Sequence, residues 1–238
     1  MTGLDLTTKK KNKIYPAFLK QLVELLPTLL LCGALASSGS LFTIWLADYT
    51  DNPVWKLAKD AAEVIGYPAY FGLLASWSSM LWMATAAICL FTVAVIWRVS
   101  PDRAARRFLL FSGLLSLALA VDDLYLLHDR ILPKLIGTSE SVFYLLYLFL
   151  MTGYLVVFFR QIIRFDYILF WTAFFFLAFS RGFYNLVPSL REYYTANDML
   201  KYFGIVFWLA FFARTAAKQF RRDAVSNPTR RGEVSEIN

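Results

Sequence analysis

From residue 73 to residue 97 the chain carries no charged side chain. At about 1.5 Å of rise per residue, a helix of that length crosses the roughly 30 Å hydrocarbon layer of a bilayer. In lipid every backbone N–H and C=O must be satisfied within the segment itself, so such a run is helical. The rest of the chain has to live with this span. Composition says that it does: 58% of the residues are hydrophobic, 18% aromatic and only 17% charged, with a mean hydropathy of +0.52. That is more apolar surface than one soluble core would bury.

Five further apolar runs predict an all-α integral membrane protein, a bundle of six transmembrane helices at residues 27–47, 73–97, 108–127, 142–159, 167–187 and 199–213. Around them lie a polar tail at 1–14, a single membrane domain at 15–220 and a polar, disorder-prone tail at 221–238. Ala34-Leu35-Ala36 before Ser37 resembles a signal-peptidase site, but hydrophobicity resumes at 41–46, which favours an uncleaved first span. Cys32 follows three leucines, so a lipoprotein signal is not expected. Cys32 and Cys89 both fall in the apolar layer, where no stabilising disulfide is expected. Between spans one and two, Asn52-Pro53 starts a short amphipathic helix. Val54, Trp55, Ala58, Ala61, Ala62 and Ile65 fall at helical spacing against Lys56, Lys59, Asp60 and Glu63, as in a helix lying flat in the interface.

A formal charge of +7 raises nucleic acid as a partner, but the cations sit between apolar runs rather than on one folded face, so no nucleic acid is expected. They read as topology signals. Five Lys and Arg precede the first span, four follow the second, two follow the fourth and six follow the sixth, against six on the opposite side, with Arg181 inside the fifth run. By the positive-inside rule both termini are cytoplasmic, N-in and C-in, in a bacterial-type inner (plasma) membrane.

One span departs from this apolar pattern. Residues 114–133, LLSLALAVDDLYLLHDRILP, carry Asp122, Asp123, His128 and Asp129. Acids in lipid are costly, so they are paired or functional. Asp122 and Asp123 lie roughly 8 Å inside the outer end of span three, and Arg181 roughly 9 Å inside the outer end of span five, at helical rise. Charges at matching depth predict an Asp–Arg pair between helices. Span six opens on the same side with Asn197, Asp198, Lys201 and Tyr202.

On one continuous helix Asp122, Tyr125 and Asp129 share a stripe, whereas Asp123 and His128 turn to either side of it. No Asp/His pair then has i,i+3 or i,i+4 spacing. A metal held by this helix alone is therefore disfavoured, and Asp198, Tyr184, Asn185 or loop residues would have to complete any site. No metal is expected, and no cofactor is indicated.

The structural alternatives are specific. Asp198 falls three after Thr195 as in a capping box, Lys201 suits an i,i+3 pair with Asp198 or snorkelling, and His128 and Asp129 suit the membrane boundary. Two acids against Arg181 leave one carboxylate over, which argues for function. The ligand- or proton-binding candidates are thus Asp122, Asp123, Tyr125, His128, Asp129, Arg181, Asn185, Asp198 and Lys201.

Phosphate-binding glycine loops, H-E-x-x-H, G-x-S-x-G and paired CxxC motifs are absent. Three functions fit what is left. The first is a small transporter, proton-linked permease or ligand-binding membrane protein that cycles a carboxylate. The second is an intramembrane enzyme, metal-dependent or acid–base, using His128 and the acids. The third is a scaffold or assembly factor of a membrane complex. The implied partners are the lipid bilayer, a small-molecule, ion or lipid ligand, and another membrane protein.

Overall fold

The computed structural model describes residues 36–59, 61–68, 70–98, 100–186 and 194–226, with scattered positions between 19 and 34. The side chains at 129, 140, 181–186, 194–196 and 224–226 lie outside that description. Among the described residues there is no strand. Two compact units divide the chain, Met1–Phe71 and Gly72–Asn238.

In the first unit, helix α1 (residues 36–49) occupies the second half of the expected first span, most of whose first half lies outside the described residues. Asp51, at φ 51, turns the chain into α2 (Val54–Ala58), which starts after Pro53, and then α3 (Ala61–Ile65). The single amphipathic helix expected here is thus two. Lys59 breaks it with extended backbone (φ −92, ψ 160) and pairs with Glu63.

The second unit holds α4 (Leu73–Ile96), α5 (Arg103–Tyr125), α6 (Leu132–Ile136), α7 (Glu140–Arg164), α8 (Tyr167–Leu186) and α9 (Tyr194–Ser226). Among the described residues, four helical stretches are long and apolar enough to cross a membrane: Leu73–Ile96, Arg103–Tyr125, Ser141–Arg164 and Asn197–Asp223. A shorter apolar stretch, Tyr167–Ser180, lies in α8. On α7, Val142, Leu145, Phe149 and Val156 are exposed, an apolar surface suited to acyl chains rather than water.

Lipid gives helices little hydrophobic reason to associate, so close packing and internal hydrogen bonds hold such a bundle. Gly113 brings α5 against α4: a Cβ there would stand 2.8 Å from Leu90 Cγ and 3.1 Å from Cys89 Cβ. Gly204 does the same for α9 against α8, where a Cβ would lie 2.7 Å from Leu177 Cγ and 3.0 Å from the Leu177 backbone nitrogen. Hydroxyls inside α4 turn back on their own helix, with Thr85 donating to Leu81 O and Thr92 to Ile88 O. Two side-chain hydrogen bonds tie helices together at the centre. Ser112 on α5 meets the Tyr154 hydroxyl of α7 at 2.6 Å, and the Trp208 indole N–H of α9 donates to Ser116 Oγ at 3.0 Å. Around them pack Phe108, Phe158, Phe170, Phe211 and Phe212, with Phe108 and Trp208 fully buried. The polar groups that remain gather at the two ends of this aromatic core.

Candidate functional site

At one end, α5 stops at Tyr125, two residues earlier than the span predicted from sequence. Leu126 adopts the left-handed conformation (φ 52, ψ 43), with its N–H on Asp122 O, and Leu127–Ile131 form a π-helical turn before α6. A non-glycine residue held there costs on the order of 1 kcal/mol, and π turns concentrate at functional sites. The break changes which side chains meet. The His128 N–H donates to Asp122 Oδ1 at 2.9 Å, and His128 Nδ1 lies 2.6 Å from Asp122 Oδ2. The expectation that His128 turns away from Asp122 assumed one continuous helix. The chain bends back at Leu126 and brings the two together.

Asp122 is buried and His128 partly so, their side chains being 9% and 13% exposed. The Tyr147 hydroxyl also bonds Asp122. Tyr144 and Tyr147 of α7 stand edge-on to the imidazole, with ring centroids at 5.4 and 5.5 Å. A carboxylate that accepts from both the backbone and the ring of one histidine fixes that ring, leaving an imidazole–carboxylate pair suited to taking up and passing on a proton.

Asp123, the neighbouring acid, points to another helix. It pairs with Lys201 of α9, and Ser79 Oγ of α4 lies 3.5 Å from its Oδ2. Lys201 was assigned above to Asp198 or to snorkelling. It crosses to Asp123 because α9 begins at Tyr194, five residues before the expected span, which sets Lys201 two turns inside the helix. That early start places Thr195 inside α9 rather than at its N-cap; its side chain, and with it the expected capping box, lies outside the described residues. Asp198 is exposed and interacts electrostatically with Lys201 and Asp123.

The remaining candidates are Tyr125, Arg181, Asn185 and Asp129. Tyr125 is 59% exposed. Arg181 and Asn185 lie on α8, and their side chains, like that of Asp129, fall outside the described residues, as does the expected pairing of Arg181 with the acids. Ser79, Tyr144 and Tyr147 were not among the sequence candidates, although the depth argument reaches them: each lies between one and two turns inside the end of its own helix. Among the described residues, no three His, Cys, Asp or Glu side chains are placed to hold a metal ion.

The opposite end has its own polar network. Ser100, in the α4–α5 connection, donates to Asp223 Oδ1 at 2.9 Å and accepts from Gln219 Nε2 at 3.3 Å. Asp102 caps α5 through the Ala105 N–H at 3.0 Å and pairs with Arg164 at the end of α7. Asp166, between α7 and α8, accepts from Arg214 Nε at 2.7 Å and Lys218 Nζ at 2.5 Å. Burial pushes the Asp102 carboxyl up, but the Ala105 N–H and the Arg164 guanidinium outweigh it and leave the group below its ordinary range. Hydrogen bonds from Lys218 and Arg214 hold Asp166 below its ordinary range as well.

A bundle of membrane-length helices with an aromatic centre and a polar cluster at each end defines a polytopic helical membrane protein. Residues 26–215 match the model of a family described as a domain of unknown function, DUF8692, and the chain belongs to that family. No curated protein and no solved structure matches it.

Proposed function

We propose that the chain is a small proton-linked transporter or permease, a ligand-binding membrane protein in which the Asp122–His128 dyad carries the proton. In this reading six helices cross an inner (plasma) membrane with both termini cytoplasmic, the dyad lies towards the outer face, and Arg181 serves as counter-ion or anion clamp. The observation that carries it is the backbone break at Leu126. A left-handed leucine and a π turn are unfavourable, and their evident product is the pair of bonds from His128 to Asp122. Asp123 takes the structural role, spent on Lys201.

The dyad also favours a second reading, an intramembrane acid–base enzyme, since a carboxylate that orients an imidazole is the usual support of a general base. Infrared difference spectra of the purified protein across pH test what the two readings share. A carboxyl or imidazole band should titrate, vanish in Asp122→Asn and persist in Asp123→Asn. If no band changes in either variant and both only lower thermal stability, the polar cluster merely holds helices together and the scaffold reading takes over.

A further inference from the structure

A cleft of about 520 Å³ opens where the α7–α8 turn meets α9, lined by Phe165, Tyr167, Ile168, Leu169 and Ala210 with Asp166 and Arg214 as its charged lining. We propose that this cleft binds an anionic phospholipid, with an acyl chain along Ile168, Leu169 and Ala210 and the headgroup phosphate on Arg214 and Lys218. The inference does not depend on the proton reading of the other end.

Position supplies the first argument. On α8 the cleft lies where the apolar stretch begins, and on α9 about three turns before the membrane-length part ends; at 27 residues that part is roughly 10 Å longer than a hydrocarbon layer, so Ala210 falls among acyl chains and Arg214 and Lys218 towards the headgroups. An apolar recess facing acyl chains is filled by one, because a void forfeits the contacts of its walls.

Charge supplies the second. Asp166 tethers Arg214 through Nε and Lys218 through Nζ, which leaves further N–H groups on both, their side chains being 59% and 38% exposed. Arg222 adds a third cation here, 5.2 Å above the Phe165 ring. Among the described residues the other carboxylates at this end are engaged elsewhere, Asp102 on Arg164 and Asp223 on Ser100 and Gln219. The cleft itself holds one cation and one carboxylate, but with Lys218 on Asp166 and Arg222 over Phe165 the cations at its rim outnumber Asp166, and an arginine already anchored on one edge presents its remaining donors to phosphate at little cost in side-chain entropy. A free phosphate would use these donors and leave the apolar walls bare. A zwitterionic lipid would fill the walls but offer no net charge to the cations. An anionic phospholipid does both.

The test uses the full chain in neutral detergent. Native mass spectrometry and thermal shift are recorded with phosphatidylglycerol, with phosphatidylcholine of the same chains, and with glycerol 3-phosphate. Phosphatidylglycerol should stay bound and raise Tm, phosphatidylcholine should bind about tenfold more weakly, and glycerol 3-phosphate should not shift Tm. Two variants separate the parts of the site. Ala210→Trp fills the cleft and keeps the charges, whereas Arg214→Gln with Lys218→Gln keeps the cleft and removes them. Each should weaken phosphatidylglycerol binding about tenfold. Helix content and gel filtration check the fold, and adding Asp166→Asn relieves the carboxylate that the second variant strands. Equal binding of the two lipids, or parental phosphatidylglycerol affinity in either folded variant, overturns the proposal. A glycerol 3-phosphate effect as large as that of the lipid overturns it in favour of a soluble phosphate site.

Discussion

Asp123 and Lys201 show at residue scale how a depth argument works and where it slips. The cost of a charge in lipid singled out Asp122 and Asp123 from sequence as paired or functional. For Asp123 the partner sought was Arg181, because Lys201 was measured from a helix assumed to start at residue 199. With α9 starting at Tyr194, Lys201 lies two turns inside its helix, and it pairs with Asp123. Replacing Lys201 by Met should therefore strand a carboxylate. Removing one partner of a fully buried pair costs about 3–5 kcal/mol, and with Lys201 35% exposed the loss should be nearer 2 kcal/mol. The double variant Lys201→Met with Asp123→Asn should recover most of it. Chemical denaturation in detergent measures both; equal stability of the parent and Lys201→Met would mean that water, not Lys201, satisfies Asp123.

The elements were legible wherever a long apolar run made helix the only way to satisfy the backbone, as in α4 and α7. They were not legible where the chain breaks without a breaker. Tyr125-Leu126-Leu127 holds no glycine or proline, so nothing local announced the left-handed turn that makes the Asp122–His128 contact. The joints between elements at the opposite end give a pH test. Asp102 links α5 to α7, and Asp166 links the α7–α8 turn to α9. Both carboxyls are held below their ordinary range in the folded state. A depressed folded-state value means that the unfolded chain binds the proton more readily, so these links stabilise the fold above the unfolded carboxyl value of about 3.9 and are lost as pH falls below it. Thermal melts should show Tm dropping below about pH 4, and less steeply in Asp166→Asn. An unchanged acid limb in that variant would assign the loss to other carboxylates.

At the scale of the molecule, the described residues hold four membrane-length helices and the shorter α8. The contacts decide its direction. Asp166, just before α8, meets Arg214 and Lys218, while Leu177 packs on Gly204, so α8 runs antiparallel to α9 and from the Ser100 end towards the Asp122 end. Its apolar stretch Tyr167–Ser180 covers roughly 20 Å at helical rise, most of a hydrocarbon layer, and the helix continues to Leu186. With α5 and α8 running one way and α7 and α9 the other, Arg98, Arg103, Arg107, Arg160, Arg214 and Arg222 all fall at the Ser100 end. Because the positive-inside rule counts Lys and Arg close to the spans, that end should face the cytoplasm, and the Asp122 dyad should face outward. Dual reporter fusions at Val99 and Asn238 should then read as cytoplasmic and one at Gly66 as external. An external signal at Asn238 with a cytoplasmic one at Val99 would mean that the second unit crosses an odd number of times after Val99. That would remove α8 from the spans, place Arg214 and Lys218 on the opposite side from Arg98 and Arg103, and overturn the arrangement with both termini cytoplasmic.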